Sequence, residues 1–360
     1  KTEEITMSNL TYSEQIDREN IERLRGLLSS LPPFCKDYFR GIEPRTQSRT
    51  RIAYAYDLRV FFDFLMEENP EVKKCGEIKN ITLPMLDELH PVDIEEYMEY
   101  LKYRHEDDGK DVLNKETGIK RKLSSLKSFY NYLYQKEMVN NNPAARVAVP
   151  RLHEKEIVRL DVDEVVLMLD EAESGDRLTG KQKEYHEKTK LRDVALLTLM
   201  LGTGIRVSEC IGLNINDIDF KNDGIRVHRK GGKEQIVYFG DEVETALKAY
   251  LDERKHILAV SGDEDALFLS LQNRRINSRS VENLVKKYAR IVTPLKKITP
   301  HKLRSTYGTN LYRETGDIYL VADVLGHSDV NTTRKHYAAI QEDRRKSARN
   351  KVRLREKPEE

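Results

Sequence analysis

Apolar residues recur at helical spacing through most of the chain, and strand-like runs are confined to one stretch of its second half. Ile16, Ile21, Leu24 and Leu28 predict a helix over 13–30, stopped by Pro32 and Pro33. A short amphipathic piece follows at 34–42. Residues 46–68 place Ala53, Tyr56, Val60 and Phe64 on one face, which predicts a long helix buried along that stripe. Helices also fit 81–89, 92–106 and 116–139, the last with Leu123, Leu126, Phe129, Tyr130 and Leu133 turned inward. No strand pattern precedes about residue 150, so the first part of the chain is expected to be all-α. VNNNPAARVAVPRLHEK (139–155) breaks the periodicity with Asn, Pro and basic residues and reads as a linker.

Beyond 156 the pattern is mixed. Helices fit 161–172, 190–202, 241–256, 279–293, 300–314, 317–325 and 328–341. IRVHRKGGKEQIVYF (225–239) predicts a β-hairpin, because two β-rich runs flank a Gly-Gly pair suited to a tight turn. Residues 1–10 are polar and unpatterned, 342–360 form a charged tail, and no internal repeat is present. A chain of 360 residues should form about two domains.

Composition narrows the function classes. Net charge is only +1, so a global polycation argument for nucleic acid fails and any basic surface must be local. Residues 115–151 hold eight Lys or Arg against two Asp or Glu, and 344–357 are again basic. Three scattered cysteines, Cys35, Cys75 and Cys210, suggest a reducing compartment rather than a disulfide framework. Neither CxxC nor HExxH occurs. The first residues are not patterned as a signal peptide. The longest largely apolar run, 194–201, is eight residues, too short to cross a bilayer. A soluble cytoplasmic protein is expected.

Several short segments carry candidate chemistry. Thr299 and Pro300 suit a helix start, which puts His301 and Arg304 three residues apart in its first turn. A helix N-terminus bearing both is a natural anion site, although taken alone the pair reads more readily as a capped surface helix with two solvated bases. Gly326 suits a helix C′ position and fixes His327 between two helices. Gly202 and Gly204 end an apolar helix just before Arg206, with Glu209 three residues on to hold the guanidinium. Lys230 and Lys233 stand at the shoulders of the hairpin turn. Tyr337, one of 18 tyrosines, follows Arg334, Lys335 and His336 in the last patterned segment.

Each segment is ordinary alone, but their order is not. TGIRVSE, RKGGKEQ, HKLR, LGHSD and HYA, in this sequence, resemble the tyrosine recombinase (phage-integrase) family over about residues 156–345. NNNPA and the helices before it resemble that family's core-binding domain. The resemblance implies an all-α, SAM-like core-binding domain and a mainly α catalytic domain with a small antiparallel β-sheet, together a C-shaped DNA clamp. The boundaries are then 1–44 for an N-terminal helical extension, 45–139 for the core DNA-binding domain, 140–155 for the linker, 156–341 for the catalytic domain, and 342–360 for a tail that members exchange between protomers. Residues 1–44 exceed a minimal Xer-type member and fit an added helix of the core-binding domain.

The same resemblance implies metal-free and nucleotide-free DNA breakage and rejoining through a 3′-phosphotyrosyl link at Tyr337 and a Holliday junction. By that resemblance Arg206 and Arg304 are the candidates to stabilise the phosphorane-like transition state, whose extra charge suits planar guanidinium groups. The resemblance likewise implies that Lys230, or Lys233 as runner-up, protonates the leaving 5′-oxygen, that His301 takes the phenol proton, that His327 donates to the phosphate and that Glu209 supports the site. Phenol needs such partners because its pKa is near 10. Two departures are small: HYA stands where a Tyr-Thr-His end is commoner, and KGGKEQ where KGNKER is commoner. Implied partners are double-stranded recombination sites, a homotetramer on DNA and an accessory bending or directionality factor. Arg45, Arg49, Arg51, Lys115, Lys120, Arg121, Lys122 and Lys127 are the expected phosphate contacts. The implied role is mobile-element integration and excision or dimer resolution. A type IB topoisomerase and a catalytically silent DNA-binding regulator are the alternatives.

Overall fold

The structure is a computed structural model and describes residues 11–105, 109, 111–151, 158–229, 234–327 and 330. The chain divides into two compact units, Lys1–Lys155 and Glu156–Glu360.

The first unit is a helical bundle: α1 (Tyr12–Leu28), α2 (Phe34–Ile42), α3 (Ser48–Glu68), α4 (Pro70–Lys73), α5 (Leu83–Asp87), α6 (Pro91–Tyr100), α7 (Glu116–Gln135) and α8 (Pro143–Arg146). A reciprocal cap starts α1, with Thr11 N–H donating to Glu14 Oε2 at 2.8 Å and Glu14 N–H donating to Thr11 Oγ1 at 3.4 Å. The core is aromatic. Tyr38, Phe61, Phe62, Tyr97, Phe129 and Tyr130 are all fully buried. Their rings meet edge to face, Tyr38 on Phe129 at 5.2 Å and 84°. The predicted inward stripe of α7, from Leu123 to Leu133, is buried throughout.

Three sequence expectations need adjustment here. The buried face of α3 is Ile52, Ala55, Leu58, Phe62 and Leu65, with Phe61 and Phe64 beside it, whereas Tyr56 is 42% exposed. Apolar side chains surround the second half of α3, so periodicity allowed two stripes, and packing on α1 and α7 selects the other one. The predicted helix 92–106 stops at Tyr100. The chain then forms a short antiparallel ribbon, β1 (Tyr103–His105) with β2 (Asp111–Leu113), registered Tyr103 to Leu113. Three-residue strands are too short to show alternation. Finally, 140–146 is built into the first unit. Asp87 accepts from the N–H groups of Asn140 at 2.8 Å and Asn141 at 2.7 Å, and Asn142 caps α8.

The second unit comprises α9 (Val162–Ser174), α10 (Gly180–Glu187), α11 (Lys190–Thr203), α12 (Val207–Gly212), β3 (Ile218–Asp219), β4 (Gly224–His228), β5 (Glu234–Tyr238), α13 (Asp241–Arg254), α14 (Ser278–Val292), α15 (Pro300–Thr315) and α16 (Ile318–Leu325). α11 is its central rod: Ala195, Leu196, Leu197, Leu199 and Met200 are fully buried, and α9, α13 and α15 pack around it. Asp193 fixes the start of that rod. Its buried carboxylate accepts from Arg192 at 2.7 Å, Tyr288 at 3.0 Å and Lys287 at 3.2 Å, so the charge is compensated. The predicted hairpin is present as β4 and β5 of an antiparallel sheet ordered β3-β4-β5, with Val227 opposite Gln235. α10 escaped the periodicity reading because GKQKEYHE has almost no apolar stripe. No described helix is long and apolar enough to cross a membrane. Of the predicted helix 328–341, only Val330 lies within the described residues.

Candidate active site

α11 ends where Gly204 adopts a left-handed φ of 64°. A Cβ at this position would fall 2.4 Å from Tyr307 Cδ1, so the turn needs glycine twice over. The chain enters α12 at once, with Arg206 at the N-cap. Glu209 closes that turn, accepting from Arg206 N–H at 2.8 Å and from Arg206 Nη1 at 2.7 Å. The Glu209 side chain is 4% exposed and that of Arg206 38%. A buried carboxylate thus braces a guanidinium that keeps access to solvent.

Thr299 and Pro300 begin α15 as expected, although the Thr299 side chain makes no cap hydrogen bond. His301 is exposed on the first turn, while Arg304, three residues on, is buried. Arg304 Nη1 donates to the Gly204 carbonyl at 2.6 Å and Nη2 to the Leu325 carbonyl. One arginine therefore ties together the ends of α11 and α16.

α16 finishes in a left-handed Gly326, φ 59°. Gly326 N–H donates to Asp323 O at 2.8 Å, and His327 N–H to Ala322 O at 2.9 Å. This C-terminal motif fixes the half-buried His327 just past the helix. The last carbonyls of a helix lack intrahelical donors and carry partial negative charge. Here each of the next three meets an arginine. Arg229 Nη2 donates to Val324 O at 2.8 Å, Arg304 Nη2 donates to Leu325 O, and Arg206 Nη2 donates to Gly326 O at 3.2 Å.

Arg206, Glu209, Arg304 and His327 are thus gathered at one turn. Lys230, Lys233 and Tyr337 lie outside the described residues. Sequence reasoning passed over Arg229, although a signal existed. Ile225 and Val227 of β4 are buried while Arg226 and His228 are exposed, so strand alternation puts residue 229 on the inward phase. A charged residue there calls for an explanation. Its guanidinium packs where a Gly326 Cβ would sit, 1.2 Å from that position at Nη1. Arg229 Nε and Nη1 are buried without an acceptor. Burial lowers the Arg229 pKa below its ordinary value, Glu209 and Asp323 oppose that, and Arg206 adds to it.

The expected phosphate contacts of the first unit divide sharply. Arg45, Arg49 and Lys115 are exposed, and Lys120 is half-buried. Arg51, expected to face phosphate, points inward instead. Its side chain is 7% exposed, pairs with Glu43 at 3.2 Å and donates to the carbonyls of Glu43 and Thr46, each at 3.2 Å. Arg121 makes two bonds to the buried Asp57, one of them at 2.6 Å. Burial raises the Asp57 pKa, and Arg121 and Lys122 pull it back. Lys122 is buried with Nζ 3.2 Å from Asn114 Oδ1, and Lys127 Nζ donates to the Val147 carbonyl at 2.7 Å.

Comparison with known proteins covers both units. Residues 158–344 match the family described as phage integrase, and residues 36–137 match the phage integrase N-terminal SAM-like domain. A tyrosine recombinase XerC of Caldanaerobacter subterraneus subsp. tengcongensis is 32% identical, over 89% of this chain and 86% of the relative. A tyrosine recombinase XerS of Streptococcus uberis is 30% identical, over 92% of this chain and 98% of the relative. In fold, the chain resembles XerH site-specific recombinase bound to a palindromic difH substrate, with TM-score 0.62 and 20% identity over 84% of this chain and 80% of that one. It equally resembles the Tn1549 transposon integrase in complex with circular intermediate DNA, with TM-score 0.62 and 21% identity over 88% of this chain and all of that one.

Proposed function

The chain belongs to the phage integrase family, the tyrosine recombinases, and on that premise we propose that it is a site-specific recombinase acting through a 3′-phosphotyrosyl intermediate at Tyr337. The observation that carries this reading is the convergence of Arg206 and Arg304 on the turn that leads into His327, with Glu209 bracing the first arginine. Two fixed guanidinium groups suit the equatorial oxygens of a pentavalent phosphorus, where negative charge builds up. His327 donates a hydrogen bond to the same phosphate. The exposed His301 takes the proton of the Tyr337 phenol, and Lys230 protonates the leaving 5′-oxygen. The new phosphotyrosyl bond replaces the phosphodiester bond, so its free energy is kept. The free 5′-hydroxyl of a partner strand reverses the step, and two such exchanges pass through a Holliday junction.

Double-stranded DNA is the partner in this reading, with Arg45, Arg49, Lys115 and Lys120 supplying phosphate contacts that position the protein without reading bases. Four protomers pair two sites, with an accessory bending or directionality factor. The free thiols Cys35, Cys75 and Cys210 suit a reducing cytoplasm. The biological task is integration and excision of a mobile element, or resolution of chromosome or plasmid dimers.

A nicked suicide duplex, whose cleaved end diffuses away, tests the chemistry. The wild-type protein should form an adduct that survives denaturing electrophoresis on its cognate site, and Tyr337→Phe should form none. Absence of any adduct, or one that persists in Tyr337→Phe, defeats the assignment. Relaxation of arbitrary supercoiled plasmid without joining of sites would instead mark a topoisomerase.

A further inference from the structure

Among the described residues at the α16 turn, Arg229 has buried guanidinium N–H groups without an acceptor. It makes a single bond, to the Val324 carbonyl, and buries Nε and Nη1 with no acceptor. A buried donor without a partner costs about 1–3 kcal/mol, more when the group is charged. Three guanidinium groups meet at this turn. Arg206, Arg229 and Arg304 meet three consecutive carbonyls, while the carboxylates that act on Arg229 are Glu209 and Asp323. Glu209 is already committed to Arg206. The unused donors of Arg229 suit a polydentate anion with diffuse charge, which a phosphodiester is.

We propose that Arg229 is a third phosphate-binding guanidinium, which leaves its seat on Gly326 when DNA arrives and takes the non-bridging oxygens of the scissile phosphate alongside Arg206 and Arg304. The inference rests on the recombinase reading above. Its seat favours release, because departure relieves two orphaned N–H groups. It stands just past the end of β4, next in sequence to Lys230.

The test needs a DNA site, which wild-type protein selects for itself. Nicked suicide duplexes with a random central sequence are incubated with the full chain, and covalently held DNA is recovered under denaturing conditions. Adduct rates are then measured on the selected site for wild type, Arg229→Ala and Arg229→Lys. The scissile linkage is either a phosphodiester or an uncharged methylphosphonate. On the phosphodiester, Arg229→Ala should be slower by about 10–100-fold, with Arg229→Lys recovering part of the loss. On the methylphosphonate, wild type and Arg229→Ala should agree within about twofold, since the charge that Arg229 serves is gone. The melting temperature of Arg229→Ala without DNA should not fall, since a poorly satisfied buried charge has been removed. The proposal is overturned if Arg229→Ala matches or exceeds wild type on the phosphodiester. It is also overturned if its deficit is the same on both linkages, which would mark a structural tether. If wild type captures no DNA, the recombinase reading itself fails and this proposal falls with it.

Discussion

Arg51 and Arg121 of the first unit and the arginines of the α16 turn in the second are held in different ways. In the first, Arg121 grips the buried Asp57 with two bonds, and Arg51 closes on Glu43 and two carbonyls. In the second, Arg206, Arg229 and Arg304 share the neutral carbonyls of one helix end, and Arg206 is also bonded to the Glu209 carboxylate. Burial does not separate the classes, because Arg51 and Arg304 are buried alike. The acceptor does. A carboxylate offsets much of the guanidinium's charge, although Arg206, braced by Glu209, also bonds the Gly326 carbonyl and keeps 38% of its side chain exposed. A carbonyl orients the guanidinium and leaves its charge available.

The largest expected effect comes from the second unit. Arg304→Ala should lower the DNA cleavage rate by about 10²–10³-fold, measured as adduct formation on the selected site. Arg304→Lys should remain strongly impaired, because a point charge cannot span the Gly204 and Leu325 carbonyls. Retention of near wild-type rates would put this arginine in the same class as those of the first unit. Next comes Arg121→Ala, which strands the Asp57 carboxylate. Breaking such a pair costs several kcal/mol when both partners are buried. Here Arg121 is half-exposed, so about 1–3 kcal/mol is expected in urea unfolding. The double variant Arg121→Ala with Asp57→Asn should recover much of it. An undiminished stability in the single variant would contradict the structural assignment.

Smaller effects sharpen the contrast within the first unit. Arg51→Ala should lower stability by about 1–2 kcal/mol and leave the salt dependence of DNA binding unchanged. Arg45→Ala, Arg49→Ala and Lys115→Ala should do the reverse, each reducing the slope of log K against log salt by about one. The smallest effect is at Lys296, which bonds Asp161 at 2.9 Å and Glu164 at 2.6 Å. Its hydrogen bond holds the Asp161 pKa low. At Glu164 burial pulls upward but is outweighed by hydrogen bonds, from Lys296 first, so that pKa is lowered too. Depressed carboxylate values contribute stability above the ordinary carboxylate range, and it is lost as pH falls through the lowered folded values. The small stability gap between wild type and Lys296→Met at neutral pH should therefore close on acidification. A gap that persists at low pH would show that Lys296 acts by packing alone.

Much of this was legible in the sequence, and the exceptions have physical causes. The α7 stripe, the hairpin and the Gly326 turn are local patterns, and local patterns survive in one dimension. The buried face of α3 was misjudged because apolar residues surround it, and only its neighbours choose between two stripes. The motifs named Arg206, Glu209, Arg304 and His327 but said nothing of the three consecutive carbonyls that gather the arginines. That arrangement joins residues about a hundred positions apart. Arg229 was signalled by strand alternation, yet a motif reading stops at Lys230 beside it. Nor does charge in a sequence reveal that Arg51 is spent on its own helix start.

The central claim is that the second unit's arginine-bearing turn serves phosphoryl transfer to Tyr337. It is tested most directly by digesting the denatured protein–DNA adduct and locating the linked nucleotide by mass spectrometry. The account predicts a 3′-phosphonucleotide on the peptide that contains Tyr337, lost in Tyr337→Phe and strongly reduced in Arg304→Ala. A nucleotide on any other side chain, or no covalent linkage on a site the protein binds specifically, would contradict it.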